Sequence, residues 1–361
     1  MTPPQRGTVQ SIDVSPLLGG SPPERDRCCL ALVSALKASG FARLANCGVP
    51  LADTAELLRE SRAFFGAPEA KKRARSWSGV PPVTGYVPRE FEALDETRPP
   101  DLKEAFNVPG SSSREATACV WPDALDPLRE PCSRMARRLY ELSEAVLRSL
   151  AAGLGWPSDA FAGVHRPQDQ TLRLLHYFPQ EELGDDRQLG AGPHSDHGSL
   201  TLIVQDDASG LETRGSDGVW RAVPPSPAEV LLNCGDLLRH WTGGALPSPT
   251  HRVRATSRHR YSVAYFVIPE NDALLARPMP RGNASASQRA PFTAMQFLLL
   301  RSLRRVERYY RHHRPTIALE DCPGVSRMRA TIAEQLGLNG VELELRLSEL
   351  ERETQCYSER T

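Results

Sequence analysis

In the first half of the chain, apolar residues mostly recur every three or four positions. This period predicts amphipathic helices that bury one face. The longest pattern has Leu128, Met135, Leu139, Leu142 and Val146 on one side. The predicted helices are residues 27–39, 53–66, 68–75 and 127–153.

Extended segments interrupt this helical pattern. Two short runs predict strands, residues 9–14 and 41–44. Apolar residues recur along the first run and are close together in the second. Residues 81–100 are rich in proline, glycine and charge, which predicts a long loop.

After Gly155 the pattern changes to short strand-like runs separated by Gly, Pro, Asp or Asn. Several short strands at close spacing favour a sandwich or barrel over a parallel sheet. A helical period returns at residues 292–310, and a charged helix is predicted near 341–353. The predicted strands are residues 172–178, 199–204, 220–222, 230–232 and 260–268.

These changes of pattern divide the chain into three predicted regions. Residues 1–155 form an N-terminal α/β region, residues 156–310 a β-rich core, and residues 311–361 a C-terminal helical extension. The expected fold class is mainly β with flanking helices.

Composition and charge exclude several classes of protein. The 361 residues contain 44 Lys and Arg against 44 Asp and Glu, so a nucleic-acid binder that relies on a basic surface is not expected. No apolar run reaches the ~18–20 residues that span a bilayer, and the N-terminus lacks the apolar core of a secretory signal. Eight cysteines without metal-finger spacing indicate reduced thiols, so we expect a cytoplasmic protein without a membrane partner.

A possible metal site begins at His194-Ser195-Asp196, just before a predicted strand. Residues two apart in an extended chain point to the same side, so the imidazole and the carboxylate face one space. A second histidine, His251, lies further along the chain. Two imidazoles and one carboxylate are the facial ligand set of non-haem Fe(II), which leaves coordination positions open.

A possible anion clamp opens the last predicted strand. Arg260 and Ser262 are two residues apart and therefore share a face of that strand. A guanidinium beside a hydroxyl suits bidentate binding of a carboxylate. Metal ligands followed by such a clamp suggest an acidic cosubstrate, held at its far end while its near end reaches the metal.

The order of these motifs resembles a known family. The stretch from Pro193 to Asp207 is followed by Gly210-Leu-Glu212, Asn233-Cys-Gly-Asp-Leu237, His251-Arg-Val253 and Arg260-Tyr-Ser262. Together they closely resemble the Fe(II)/2-oxoglutarate-dependent dioxygenases of the isopenicillin N synthase-like family. The similarity extends over roughly residues 9–310 and includes Gly85-Tyr86 and Asp101-Leu-Lys-Glu-Ala-Phe106.

The resemblance implies a distorted double-stranded β-helix, or jelly roll, with Fe(II) inside it. It implies that His194, Asp196 and His251 bind the iron. It also implies that Arg260 and Ser262 bind the C5 carboxylate of 2-oxoglutarate, with help from Tyr177.

The implied reaction uses Fe(II), 2-oxoglutarate and O2, with ascorbate as an optional reductant, and releases succinate and CO2. The substrate is a small organic molecule, and hydroxylation, desaturation and ring chemistry all fit the motifs. The stand-alone architecture is compatible with specialised-metabolite biosynthesis. Two alternatives stay open: an oxidase of the same family that needs no 2-oxoglutarate, and a metal-binding jelly-roll module without turnover.

The substrate pocket is expected to draw on residues 83–107 and on the region around Phe266. Within these segments we predict that Phe266, Phe106 and Tyr86 line the pocket. His176 is predicted to be a hydrogen-bonded core histidine, and His197 is predicted to point away from the metal. We expect a monomer or a weak oligomer.

Overall fold

Two β-sheets enclose the centre of the molecule, and helices cover the outer face of the larger one. In the computed structural model, the residues described are 9–77, 84–95, 97–110, 120–121, 123, 125–276, 291–313, 318–319 and 322–358. The strands are β1 (Gln10–Asp13), β2 (Phe41–Ala45), β3 (Ser76–Trp77), β4 (Thr84–Val87), β5 (Lys103–Pro109), β6 (Thr171–Tyr177), β7 (Ala191–His194), β8 (Leu200–Gln205), β9 (Leu211–Arg214), β10 (Trp220–Ala222), β11 (Val230–Cys234), β12 (His251–Val253) and β13 (Arg260–Val267).

The helices lie mostly before β6 and after β13. They are α1 (Ser15–Gly19), α2 (Pro22–Ser39), α3 (Leu51–Phe65), α4 (Glu69–Arg73), α5 (Arg129–Gly153), α6 (Asp236–Trp241), α7 (Ala294–His313), α8 (Pro323–Leu336) and α9 (Gly340–Ser358). Among the described helices, none has the length and apolar character needed to cross a bilayer.

The strand order is that of a double-stranded β-helix. The large sheet runs β1-β2-β11-β8-β13-β6-β5-β4-β3 and the small sheet β10-β9-β12-β7. From β6 onward the chain alternates between the two sheets, and the paired strands there are antiparallel. Apolar side chains such as Leu175, Ile203, Leu211 and Val253 form a buried cluster between the sheets. The expected jelly-roll fold is confirmed.

A second and larger core joins the helices to the outer face of the large sheet. Helix α5 buries Met135, Leu139, Leu142 and Val146, the stripe that the sequence period predicted. The same cluster contains side chains of α2, α3, β6, β8 and β13. Burial of this apolar face, rather than helix propensity alone, keeps α5 in place.

The end of α2 lies against the segment that leads into β12 of the small sheet. Ser21 and Glu24 form a capping box at the first turn of the helix, and Gly40 ends it with a φ of 72°. A side chain at Gly40 would lie 2.6 Å from Pro249 Cδ, closer than any real contact. Gly40 is therefore required both for its backbone conformation and for the approach of the segment that leads into β12.

The predicted loop at residues 81–100 is wrong in part, because β4 lies inside it. Residues 81–83 and 96 lie outside the described residues. Strand β4 pairs with β5, and β5 pairs with β6 in register over its whole length. These hydrogen bonds come from distant segments, so the local Pro- and Gly-rich composition does not reveal them.

The N-terminal region and the β-rich core share one sheet. Strands β1 to β5 precede residue 155 yet extend the large sheet on both sides of the jelly-roll strands. Likewise helix α7 continues past residue 310 to His313. The three predicted regions therefore differ in sequence character without being separated at these positions by the described structure.

A buried histidine, His165, is hydrogen-bonded to Phe161 and Ser199. His165 is 3% exposed, its Nδ1–H donates to Phe161 O at 2.7 Å, and its Nε2 lies 2.9 Å from Ser199 Oγ. Burial lowers the pKa of His165 to about 4. The side chain is thus neutral in the folded protein at neutral pH.

We expect His165 to make the fold sensitive to acid. An unfolded histidine has a pKa of about 6.5, so between pH 6.5 and 4 the unfolded chain binds a proton that the folded protein excludes. The free energy of unfolding is therefore not reduced by this group above pH 6.5, and it decreases as the pH falls below that value. Between pH 7 and pH 5 the loss is about 2 kcal/mol. Urea unfolding of metal-free wild type and His165→Gln should show a smaller loss in the variant by that amount. Equal losses in both proteins would contradict the prediction.

Candidate active site

Three potential metal ligands lie close together where β7 pairs with β12 in the small sheet. His194 is the last residue of β7, Asp196 lies in the connection from β7 to β8, and His251 is the first residue of β12. Strands β7 and β12 are paired, with His194 opposite His251. One ligand atom from each of the three side chains lies within 4.8 Å of the other two. The local spacing and the strand pairing together bring the three side chains to one point.

Hydrogen bonds to the backbone set the ring orientation of both histidines. His194 Nδ1 lies 2.8 Å from Gly192 O, and His251 Nδ1 lies 3.1 Å from Pro249 O. A carbonyl only accepts, so each Nδ1 carries the proton and each Nε2 keeps its lone pair. Both Nε2 atoms face Asp196, at 3.8 Å and 3.7 Å from its Oδ1. This arrangement orients metal-binding histidines in proteins generally.

The carboxylate of Asp196 is held by its other oxygen. Thr201 Oγ1 donates to Asp196 Oδ2 at 2.5 Å, and Asn233 Nδ2 donates to the same oxygen at 2.8 Å. Oδ1 is thereby left facing the two Nε2 atoms. Asn233 belongs to one of the motifs in the sequence, but neither it nor Thr201 was predicted to have a role there. Their signal was weak because each lies on a different strand of the large sheet.

The electrostatics of the three side chains suit a cation. Burial, together with the charge that His251 would carry, holds the pKa of His194 well below its usual range. Burial alone raises the pKa of Asp196, but His251, His194 and the two hydrogen bonds to Oδ2 lower it overall. At neutral pH His194 is therefore a neutral imidazole beside an anionic carboxylate, which are the protonation states that a metal requires.

The donor set fits a divalent iron ion. Two imidazole nitrogens and one carboxylate oxygen, each oriented by a bond to its second polar atom, form the facial set of non-haem Fe(II) sites. Three protein ligands leave positions for a cosubstrate and for dioxygen.

The predicted clamp residues lie together on β13. Arg260 is 3% exposed, and its Nη1 donates to Ser262 Oγ at 3.3 Å. Its Nη2 donates to Gln205 Oε1 at 2.8 Å, and the ring of Tyr177 lies under the guanidinium at 4.9 Å. Arg260 Nε is buried and has no hydrogen-bond partner among the described residues. Gln205 was missed by sequence analysis, although it shares a face of β8 with Thr201.

A cavity of about 580 Å³ adjoins two of the potential metal ligands and Tyr177. His194 and Asp196 line it, as does Tyr177, whose ring contacts the guanidinium of Arg260, whereas Arg260 and Ser262 are not among its lining residues. The volume is typical of small-molecule sites. The lining residues are Glu92, Leu94, Lys103, Arg173, Leu175, Tyr177, Ala191, Pro193, His194, Ser195, Asp196, His197, Gly198, Thr250, Phe266, Ile268 and Arg301.

Four charged side chains on the cavity wall were not predicted. Glu92, Lys103, Arg173 and Arg301 all line the cavity. Arg173 forms an ion pair with Glu92, and Lys103 Nζ lies 3.5 Å from Glu92 and 2.6 Å from Asp101. These residues are far apart in sequence. Glu92 and Lys103 fall within residues 83–107, the segment expected to contribute to the pocket, and Arg173 shares a face of β6 with Tyr177, whereas Arg301 carried no signal in the sequence.

Of the three residues predicted to line the substrate pocket, only Phe266 lies on the cavity. The prediction for Tyr86 and Phe106 is wrong. Both are buried in the cluster between the large sheet and the helices, and Tyr86 OH donates to Glu104 at 2.5 Å. Successive residues of a strand face opposite sides, so on β5 Lys103 faces the cavity while Glu104 and Phe106 face the helices.

The two other histidines near the site differ from each other. His176 is buried, with Nδ1 2.7 Å from Glu104 Oε1, which confirms the prediction of a hydrogen-bonded core histidine. His197 lines the cavity but does not belong to the cluster of potential metal ligands.

Two family models match the chain. Residues 168–269 match the 2OG-Fe(II) oxygenase superfamily, and residues 9–124 match the non-haem dioxygenase in morphine synthesis N-terminal model. The first match contains every residue of the predicted iron and 2-oxoglutarate sites.

The chain is also similar to individual proteins and to a solved structure. The chain is 35% identical to UPF0676 protein C1494.01 of Schizosaccharomyces pombe, over 68% of this chain and 78% of the relative. It is 31% identical to the 2-oxoglutarate-dependent dioxygenase frbA of a Dothideomycetidae species, over 74% of this chain and 88% of the relative. The crystal structure of a full-length Neurospora crassa protein in complex with alpha-KG superposes with a TM-score of 0.73 at 26% identity, covering 83% of this chain and 97% of that chain.

Proposed function

Because this chain belongs to the 2OG-Fe(II) oxygenase superfamily, we propose that His194, Asp196 and His251 hold its Fe(II). The protein is an Fe(II)- and 2-oxoglutarate-dependent dioxygenase that oxidises a small organic molecule. The observation that carries the metal assignment is the orientation of the three donors. Both Nδ1 atoms and Asp196 Oδ2 are engaged by other groups, so the remaining donor atoms converge.

We propose that Arg260 binds the C5 carboxylate of 2-oxoglutarate, with Ser262 and Tyr177 as further contacts. Arg260 Nε has no hydrogen-bond partner within the described part of the chain, and its guanidinium is already oriented by Gln205. Burial strengthens a charge-assisted bond because water does not compete for it. Tyr177 lines the cavity and its ring lies 4.9 Å from the guanidinium of Arg260, so it is placed to contact the cosubstrate that Arg260 binds.

The protein residues then orient the reactants and exclude water. When bound, the iron supplies the activation of dioxygen that couples decarboxylation of 2-oxoglutarate to oxidation of the substrate. Thr201 and Asn233 keep Asp196 from rotating, which preserves the ligand geometry through the reaction. Phe266 and Leu94 present apolar surface beside the site, which favours a substrate with a hydrocarbon part.

We further propose that the enzyme works in the cytoplasm as a monomer or weak oligomer. Six of the eight cysteines, those whose side chains the structure describes, are free and buried, and burial raises the pKa of Cys28 to about 11. Such thiols are unreactive and suit a reducing compartment. A role in specialised-metabolite biosynthesis stays a prediction, which biosynthetic genes next to this one would support.

Turnover of the cosubstrate tests the proposed function directly. We expect the purified protein to release succinate from 2-oxoglutarate when Fe(II) and oxygen are present, and a chelator should stop the release. Without oxygen, adding both Fe(II) and 2-oxoglutarate to the protein should produce a weak visible absorption band. A folded, iron-loaded protein that gives neither signal would contradict the assignment.

A further inference from the structure

The cavity wall carries more positive than negative charge. Apart from the proposed iron ligands and His197, its charged lining residues are Lys103, Arg173 and Arg301 against the single carboxylate of Glu92. A cavity lined by an excess of cations attracts an anionic ligand. The proposed function places the C5 carboxylate of 2-oxoglutarate at Arg260, so that carboxylate does not account for this excess.

Among the three cations, Arg301 is the one whose countercharge is set back from the cavity. Its Nη2 forms an ion pair with Asp236, which is 7% exposed and is not among the lining residues. Asp236 Oδ2 also accepts a hydrogen bond from Ser195 Oγ at 2.9 Å. Arg301 Nε is buried and has no hydrogen-bond partner among the described residues.

The other two cations are better compensated at the cavity surface. Glu92 lines the cavity itself and pairs with both Arg173 and Lys103. Lys103 has a second carboxylate, Asp101, at 2.6 Å. An incoming anion at either residue would meet the charge of Glu92, whereas an anion at Arg301 meets no carboxylate among the described lining residues beyond the iron ligand Asp196.

We infer that the substrate carries a carboxylate and that Arg301 binds it. This inference rests on the proposed function and names the class of substrate for that site. Phe266 and Ile268 line the same cavity and offer apolar contact to the carbon skeleton. The guanidinium supplies the planar pair of donors that a carboxylate fits.

The position of Arg301 connects a bound substrate to the proposed iron site. Arg301, Asp236 and Ser195 form a hydrogen-bonded chain, and Ser195 lies between the proposed ligands His194 and Asp196. Substrate bound to Arg301 is therefore anchored to the segment that carries the iron ligands. Arg301 acts as a positioning residue that selects acidic substrates and fixes their distance from the metal.

Equilibrium dialysis with matched ligands tests the inference. The probes are carboxylic acids paired with their primary amides, such as phenylacetate with phenylacetamide and hexanoate with hexanamide. The protein is held without oxygen at saturating Fe(II) and 2-oxoglutarate, so that acids cannot occupy the cosubstrate site. We expect acids of the panel to bind and their amides to bind about ten- to a hundredfold more weakly.

Variants assign the preference to Arg301. Arg301→Gln should abolish the difference between acid and amide, and Arg301→Lys should keep part of it, because the charge remains without the planar fork. Arg301→Gln combined with Asp236→Asn removes the pair together and avoids a buried unpaired carboxylate. Arg221→Gln is the matched control, since Arg221 of β10 also pairs with an aspartate, Asp217, and neither residue lines the cavity.

The outcomes separate this inference from the proposed function. Acids that bind no better than amides, a panel with no bound acid, or a preference that persists in both Arg301→Gln proteins would each overturn the inference. Failure of the proposed function would instead appear in the wild type as absent 2-oxoglutarate binding in the same dialysis cells.

Discussion

Alanine at Asp196 should abolish succinate release, and alanine at His194 or His251 should do the same. Two remaining ligands cannot hold Fe(II) in an open facial site, because the residues that the structure describes supply three donors there and no fourth. The loss at Asp196 should be the most complete, since its carboxylate is the only negative donor of the set. Iron binding should fall together with turnover.

The measurement is succinate release at saturating 2-oxoglutarate, together with anaerobic iron binding by dialysis. Asp207→Ala is a matched control, because Asp207 is an exposed aspartate that pairs with Arg258 outside the cavity. Thr201→Val should give an intermediate result, with iron binding about ten- to a hundredfold weaker, because Asp196 loses an orienting bond. Full turnover in folded Asp196→Ala would exclude the ligand assignment.

Changing the clamp residue should impair cosubstrate use and leave the metal in place. Arg260→Lys keeps the charge but loses the planar fork, and a hydrogen bond to a charged group contributes about 1.5–3 kcal/mol. The half-saturating concentration of 2-oxoglutarate should therefore rise roughly ten- to a hundredfold. Arg260→Ala should raise it further, because it removes the countercharge and leaves Gln205 without its partner.

Titration of 2-oxoglutarate against succinate release, at saturating Fe(II), measures this effect. Arg258→Ala is the control, since Arg258 lies two residues earlier and is exposed. Iron binding should be retained in both Arg260 variants, because Arg260 is not among the metal-ligand cluster. An unchanged half-saturation in Arg260→Ala would favour a same-family oxidase that needs no 2-oxoglutarate.

The metal and clamp residues could be predicted because their spacing is local. His194 and Asp196 are two residues apart, as are Arg260 and Ser262, so the extended backbone itself places each pair on one side. The distance to His251 could not be derived from spacing, and only the order of motifs suggested it. The structure supplies the reason, which is the pairing of β7 with β12.

The substrate pocket was predicted less well because a strand presents two faces. Phe106 and Lys103 lie on the same strand, three residues apart, and therefore face opposite sides of the large sheet. Sequence alone gave no means of deciding which face the cavity adjoins. An aromatic residue was the natural guess for a pocket, whereas the cavity side of β5 holds a lysine.

The sequence by itself determined the fold class and supplied the proposed iron ligands and clamp, through short-range periodicity and an order of motifs that resembles a known family. Only the tertiary structure decided how the ligands are oriented and what surrounds the substrate. Thr201, Asn233 and Arg301 act through contacts between segments that lie far apart in the chain. Such contacts depend on how sheets and helices pack. Whether a charged side chain is buried, and therefore needs a partner, can be judged only from the folded structure.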